Sequence, residues 1–291
     1  MSQIAFHRAT SLADACAILA ETGARSLAGG TDLIVQMREA RREVDTLVDI
    51  KQIPELISVI DCDDGGLTVG AAIPAARLAR TDSLVQTYPA LATALGMIGS
   101  RQIQNRATLG GNVCNASPSA DAVPPLIAYD ADGLIAGKDG TRRVPLQELF
   151  RGPGETCLAP DEILVAIDLP PLPAMSSASY MRFTPRREMD IAVVGVATSV
   201  SLDGDGAITA ARVALASVAP TPVRSPSAEA TLIGQTLNAK TIETAAEQAV
   251  GDVSPISDTR ASASYRRDLV RALTKRTLTA NAIALGKELK Q

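Results

Sequence analysis

Ala28-Gly29-Gly30-Thr31-Asp32 and, further along, Thr108-Leu109-Gly110-Gly111-Asn112 are paired glycines, each followed by a small polar side chain. Adjacent glycines let the backbone approach a ligand closely and turn several N–H groups the same way. A pyrophosphate requires such closely spaced donors with no Cβ in the way. The first stretch reads equally as a plain strand-to-helix corner, with Gly29 and Gly30 supplying unusual φ angles and Thr31 or Asp32 capping the next helix. Neither stretch is the Gly-x-Gly-x-x-Gly or Gly-x-x-x-x-Gly-Lys-Ser/Thr fingerprint, so a simple Rossmann or P-loop reading fails. Two such turns in a chain with one histidine point to a bound dinucleotide that carries the chemistry itself.

Working outward, Ser11 to Glu21 places Leu12, Ala15, Cys16 and Leu19 at helical spacing, with Gly23 just past the end. Arg25 to Ala28 runs extended into the first turn, a helix through Leu33, Ile34, Met37 and Ala40 follows, and Thr46 to Ile50 has strand composition. The opening is therefore α–β–turn–α–β. Leu56 to Asp61 and Leu67 to Gly70 read as a hairpin, Ala75–Arg80 and Pro89–Ile98 as helices. Beyond the second turn come Asn115, Ser117-Pro118-Ser119 and Asp121, a dense polar patch. It reads either as a capped loop, Ser119 capping a helix to Ala128 with Asp121 in its first turn, or as a set of partners for a polyhydroxyl chain. Further strands are expected at Leu134–Ala136, Arg143–Val144 and Ile163–Leu169.

Pro170-Pro171-Leu172-Pro173-Ala174-Met175-Ser176-Ser177 is the clearest boundary. After it, Ser179–Phe183, Ile191–Leu202 and Ile208–Val218 are strand candidates, and Ser227–Leu232, Ala239–Val250 and Ser262–Leu285 are helices. This is a compact α+β tail domain.

Composition removes whole classes of function. The 291 residues include no Trp, three Phe and four Tyr, too few for the aromatic platforms of a base-stacking nucleic-acid binder. A net charge of −4 gives no basic footprint for nucleic acid. No apolar run is long enough to span a bilayer, and Met1 to Arg8 has no signal-peptide core, so the expected compartment is the cytoplasm. Cys16, Cys62, Cys114 and Cys157 form no Cys-x-x-Cys pair, and no metal site is expected. His7 alone cannot supply multi-histidine metal sites or the usual Ser-His machinery.

Leu27 through Leu33 and Ile98-Gly99-Ser100-Arg101-Gln102-Ile103-Gln104-Asn105-Arg106-Ala107 continuing to Asn112 resemble the FAD-binding medium subunit of the molybdenum hydroxylases, the xanthine dehydrogenase and carbon monoxide dehydrogenase type. Ser117 to Asp121 and Arg186-Arg187-Glu188-Met189-Asp190-Ile191-Ala192 extend the likeness, which spans nearly the whole chain. The fold it implies is α+β: an FAD-binding module of two α+β subdomains (PCMH-like), then a C-terminal domain with a small antiparallel sheet and helices. The corresponding boundaries are 1–173, divided near 54 into 1–54 and 55–173, and 174–291.

By the same resemblance, Leu27, Ala28, Gly29, Gly30, Thr31, Asp32 and Leu33 together with Thr108, Leu109, Gly110, Gly111 and Asn112 wrap the FAD pyrophosphate. Asp121, with Ser117 nearby, meets the cofactor hydroxyls. Leu164 or Val165 and Arg182 border the adenine or the flavin edge, and Ile98 and Ile103 are cofactor contacts. Ile98 stands where some members carry an aromatic. The Arg186–Asp190 loop resembles one that shapes access to the flavin, and reads otherwise as a solvated charged turn. FAD is expected to be noncovalent, His7 lying away from both motifs. No side chain is expected to be catalytic. The implied complex adds a large molybdopterin subunit and a small subunit with [2Fe–2S] clusters, and an external acceptor takes the electrons. Two rivals stand beside this reading: a flavin-free scaffold subunit of the same complex, and a stand-alone flavin reductase.

Overall fold

The computed structural model describes residues 4–287; Met1 to Gln3, part of the N-terminal stretch read above, lie outside the described residues. The chain opens with β1 (Ala5–Arg8), α1 (Leu12–Leu19), β2 (Ala24–Leu27), α2 (Leu33–Arg38) and β3 (Thr46–Asp49). These strands form a parallel sheet in the order β1-β3-β2. Parallel neighbours need crossover connections, which α1 and α2 supply. Ser11 caps α1 by accepting from the Asp14 N–H, and Ala15, Cys16 and Leu19 bury its inner face against Val48. Strand β1 adds to the α–β–turn–α–β reading. It is an edge strand with an almost wholly exposed side-chain row, Phe6 included, so it carries no alternation that pattern reading detects.

The middle of the chain holds β4 (Val59–Asp61), β5 (Leu67–Gly70), α3 (Ala75–Leu78), α4 (Asp82–Thr87), α5 (Pro89–Leu95), α6 (Arg101–Gln104), α7 (Leu109–Cys114), α8 (Val123–Ala128), β6 (Asp132–Gly137), β7 (Gly140–Pro145), β8 (Phe150–Gly152), β9 (Glu155–Thr156) and β10 (Ile163–Leu169). Its main sheet is antiparallel in the order β4-β5-β10-β6-β7. Strand β10 is central and buried almost throughout. One part of it packs into the core around α1 (Ile163, Val165, Ala166), another into the core around α5 and α8 (Leu164, Ile167, Leu169). That two-sided burial fuses the parallel and antiparallel sheets.

The C-terminal part comprises β11 (Ser176–Phe183), β12 (Val194–Leu202), β13 (Ile208–Ala216), β14 (Val223–Arg224), α9 (Pro226–Leu232), α10 (Ala239–Gly251) and α11 (Ala263–Ala284). Its four strands form one antiparallel sheet in chain order. Helix α11 covers one face, where Asn281 donates to the Thr198 carbonyl at 3.1 Å and accepts from Ser179 at 2.7 Å. The other face takes α8, every residue of which is buried, and Tyr180, Ala197 and Ala214 join the core of the preceding unit. The tail sheet thus stands directly behind the segment that carries Asp121.

Two local expectations are corrected. Gly110 and Gly111 do not form a turn but lie in the first turn of α7, with Thr108 as its N-cap accepting from the Gly111 N–H at 3.0 Å. Ser119 caps no helix: α8 starts at Val123, and its two prolines sit in the first turn, where a missing N–H costs nothing.

Candidate functional site

Strand β2 delivers Ala28 to Leu33 to the mouth of a cleft of about 520 Å³. Among the described residues, none of the N–H groups from Ala28 through Leu33 donates a hydrogen bond to the chain, whereas the Ile34 N–H already closes on the Gly30 carbonyl. Gly30 adopts φ +76°, which only glycine takes without strain. Asp32 is at the N-cap of α2, but its side chain makes no capping bond. The corner is therefore a row of free donors rather than a closed cap.

The second motif is built the other way. The Leu109 N–H donates to Ile73 (3.3 Å), Gly110 to Ala71 (2.8 Å) and Asn112 to Thr108 (3.0 Å). With Gly111 bonded to the Thr108 hydroxyl, all four amides are engaged. Gly110 is glycine because of Ala71: a Cβ there would stand 2.5 Å from the Ala71 Cβ. Gly111 is exposed and, with Asn112, forms part of the cleft wall. The second motif gives the cleft its shape and the first gives it donors.

The two motifs touch. A Cβ on Gly29 would come within 2.0 Å of the Arg106 carbonyl oxygen, so the first turn lies flat on the segment leading into α7. Gln36 on α2 spans to Asn115 after α7 at 3.4 Å.

The structure brings together in this cleft Leu27 through Leu33, Ile98, Ile103, Thr108, Gly110, Gly111, Asn112 and Leu164. Leu109, Ser117, Asp121, Val165 and Arg182 are not among its lining residues. Leu109 is wholly buried, and Val165 belongs to the core around α1. The Asp121 carboxylate accepts from the Tyr180 hydroxyl at 2.7 Å and from Arg182 at 2.5 Å, both on β11. Burial pushes this carboxyl up to about 6, against the opposing pull of Arg182 and Tyr180. Burial, with the charge of Asp121, also raises the Tyr180 phenol well above its ordinary range. The Ser217 N–H meets the Pro118 carbonyl at 2.7 Å. The polar patch from Ser117 to Asp121 is thereby fastened to the tail sheet.

Sequence reading missed Gln36, Arg42, Leu158, Glu162 and Ile163 in the lining. Nothing local marks them, because they arrive from separate elements. Met189, Asp190 and Ile191 reach the cleft from the loop between β11 and β12. There Met189 adopts φ +54° and its N–H donates to the Gly99 carbonyl at 3.3 Å. Asp190 is held by Arg186 and by Arg260 at 3.2 Å. His7 is elsewhere, its ring on Asp14 at 2.9 Å. No group of three or more metal-binding side chains occurs among the described residues, and no helix among them is long and apolar enough to cross a membrane.

Donors crowded on a glycine corner, a cleft between fused sheets and a tail sheet bracing it from behind define a dinucleotide-binding module. Residues 2–172 match the FAD binding domain in molybdopterin dehydrogenase, and residues 179–280 match the CO dehydrogenase flavoprotein C-terminal domain. The chain belongs to the FAD-binding (medium) subunits of the molybdenum hydroxylases, a family of oxidoreductases. It is 38% identical over 287 residues to the xanthine dehydrogenase FAD-binding subunit of Escherichia coli O157:H7, covering 98% of each chain. Identity is 33% to the 6-hydroxypseudooxynicotine dehydrogenase complex subunit alpha of Paenarthrobacter nicotinovorans, covering 93% of this chain and 91% of the relative. Its fold superposes on carbon monoxide dehydrogenase from Hydrogenophaga pseudoflava with a TM-score of 0.92 and 30% identity, covering 97% and 98% of the two chains.

Proposed function

We propose that this chain holds FAD noncovalently, takes electrons from the [2Fe–2S] clusters of a small partner subunit and passes them to an external acceptor, within a cytoplasmic complex whose large subunit carries molybdopterin. The observation that carries this reading is the row of unengaged N–H groups from Ala28 to Leu33, residues that line the cleft. A pyrophosphate only accepts hydrogen bonds, and these backbone N–H groups are there to donate them. Bonds to a charged acceptor are worth about 1.5–3 kcal/mol each, so a few hold a cofactor without a covalent link.

When bound, FAD supplies the redox chemistry. The chain's own residues bind, orient and shield. The amides of Ala28 to Leu33 hold the pyrophosphate, and Gly111 and Asn112 set how closely the cofactor lies on α7. Ile98, Ile103 and Leu164 give the apolar walls. Asp121 and Arg182 stand behind the wall, and in this reading they reach the cofactor's hydroxyls and ring edge from the tail side. The proposed domain boundary is 173/174, with a subdivision of the first domain near 54. The flavin-free scaffold reading leaves the donor row without a purpose.

The test is the visible spectrum of the purified chain, followed by acid release and chromatography of the pigment. Released FAD supports the reading. A colourless chain that takes up no added FAD overturns it in favour of the scaffold. Co-purification with subunits containing molybdenum and iron tests the partners.

A further inference from the structure

The loop joining β11 to β12 brings Met189, Asp190 and Ile191 to the cleft wall. At its base the Val193 N–H closes on the Phe183 carbonyl at 2.9 Å. Two carbonyls at that base are taken by the rest of the tail. The Ser217 hydroxyl donates to Ala192 at 2.8 Å, and Arg266 donates to Val193 at 2.6 Å. Ser217 follows β13 at φ +66°, a left-handed conformation that a residue with a side chain rarely adopts. Its own carbonyl accepts from the same Arg266 guanidinium at 3.0 Å.

Arg266 stands near the start of α11 and is only 4% exposed. Besides the two carbonyls it meets both carboxylate oxygens of Asp258, each at 2.9 Å. Asp258 in turn accepts from the Arg260 N–H at 2.9 Å and the Ala261 N–H at 3.1 Å, which fixes the turn that carries Arg260. From this turn the Arg260 guanidinium reaches Asp190 at 3.2 Å. The Asp190 carboxylate also accepts the N–H groups of Arg186 (3.1 Å) and Ile191 (2.9 Å), so it ties the far part of the loop together. One buried guanidinium therefore holds the loop twice, directly at the base and through Asp258 and Arg260 at Asp190. Docking α11 on the sheet needs only apolar contact, which Val270 and Leu273 supply. Taking a guanidinium out of water is costly, and its fork of donors lets one side chain hold two carbonyls and a carboxylate at once.

We infer that Arg266, with Arg260, is a positioning residue of the cleft, fixing the wall of Met189, Asp190 and Ile191 before the cofactor arrives. Neither arginine is itself among the lining residues. A wall already in place spares the ligand the entropy cost of ordering it. The effect on FAD rests on the FAD reading; the bracing of the loop does not.

The experiment compares the full-length wild type with Arg266→Lys and Arg260→Ala. Amide hydrogen exchange of residues 184–193 is followed in the FAD-depleted chains, against α10 and α11 as internal references. FAD affinity is then titrated by flavin fluorescence. Lysine keeps the charge of Arg266 but cannot span its three partners. Expected in Arg266→Lys is faster exchange confined to the loop, with FAD affinity lowered about tenfold or more. Arg260 is partly exposed, so Arg260→Ala keeps the test informative should Arg266→Lys fold poorly. Its expected signature is faster loop exchange and an affinity lowered about threefold, with the urea midpoint unchanged. Loop exchange as in wild type in Arg260→Ala, together with acceleration spread evenly over α10 and α11 in Arg266→Lys, makes Arg266 merely structural and overturns the proposal. Faster loop exchange with undiminished FAD affinity overturns it as well. A wild type that takes up no FAD overturns the FAD reading instead; faster loop exchange in both variants then still supports the brace, and unchanged exchange overturns it.

Discussion

Gly29 rests on the backbone of Arg106 so closely that a single added carbon would stand 2.0 Å from its carbonyl oxygen. This contact joins the corner that supplies donors to the segment that shapes the cleft. Gly29→Ala forces the two segments apart, because backbone, not a mobile side chain, is in the way. Expected is a flavin-to-protein ratio below about a tenth of wild type, since each charge-assisted bond lost costs about tenfold or more. Acid release and absorbance measure it.

The adjacent glycines of α7 separate cleanly by mechanism. Gly110→Ala drives a Cβ into Ala71, so it destabilises the fold by about 1–3 kcal/mol, read as a lowered urea midpoint. Gly111 is exposed, and a Cβ there meets only the Thr108 hydroxyl. Gly111→Leu puts its Cβ 2.8 Å from the hydroxyl that caps α7, so it lowers stability by the worth of that cap, about 1 kcal/mol, while weakening FAD binding, as titrated by flavin fluorescence. If Gly111→Leu binds FAD normally, the cofactor does not lie along α7.

Asp121 and Arg182 form an ion pair with both side chains almost wholly buried. Asp121→Asn keeps one acceptor oxygen but turns an amide donor toward Tyr180 or Arg182, and the lost hydrogen bond lowers the unfolding free energy by about 1–3 kcal/mol.

The same carboxyl sets a pH dependence. Its value in the folded chain, about 6, lies above the ordinary 3.8. Between those values the folded state binds more protons than the unfolded one. The stability contributed by this group is full below 3.8 and is lost as pH rises through 6. Urea midpoints measured between pH 4 and pH 7.5 should show this fall in wild type and lack it in Asp121→Asn. Parallel profiles would assign the slope to other groups.

His7 is paired with Asp14 on the outer edge of the N-terminal sheet and is not among the cleft residues. His7→Ala retains wild-type FAD content, and all flavin is released by acid from both proteins. Flavin that stays with the denatured chain would show a covalent bond and overturn the noncovalent reading.

Elements with strong local signals were legible in the sequence. Ser11 before an apolar period gave α1, and the strand composition of Thr46–Ile50 gave β3. Strand β1 was not legible, because an exposed edge strand has no buried face to impose alternation. The four-residue helix α6 was missed, since one turn leaves little period to count.

The sequence by itself determined that a dinucleotide was the ligand to look for: the two glycine pairs, the scarcity of aromatics and the single histidine left little other chemistry. Which pair holds free donors was decided only by the tertiary structure. Gly29-Gly30 and Gly110-Gly111 look alike as text, yet Ala71, Ile73 and the Thr108 hydroxyl consume the amides of the second and nothing in the described chain consumes those of the first. Likewise Asp121 reads in the sequence as a lone carboxylate, and only the fold brings Tyr180 and Arg182 to it from a strand some sixty residues away. A backbone N–H carries the same potential in any sequence. Whether it stays free for a ligand depends on acceptors brought from distant segments, and only the folded chain brings them.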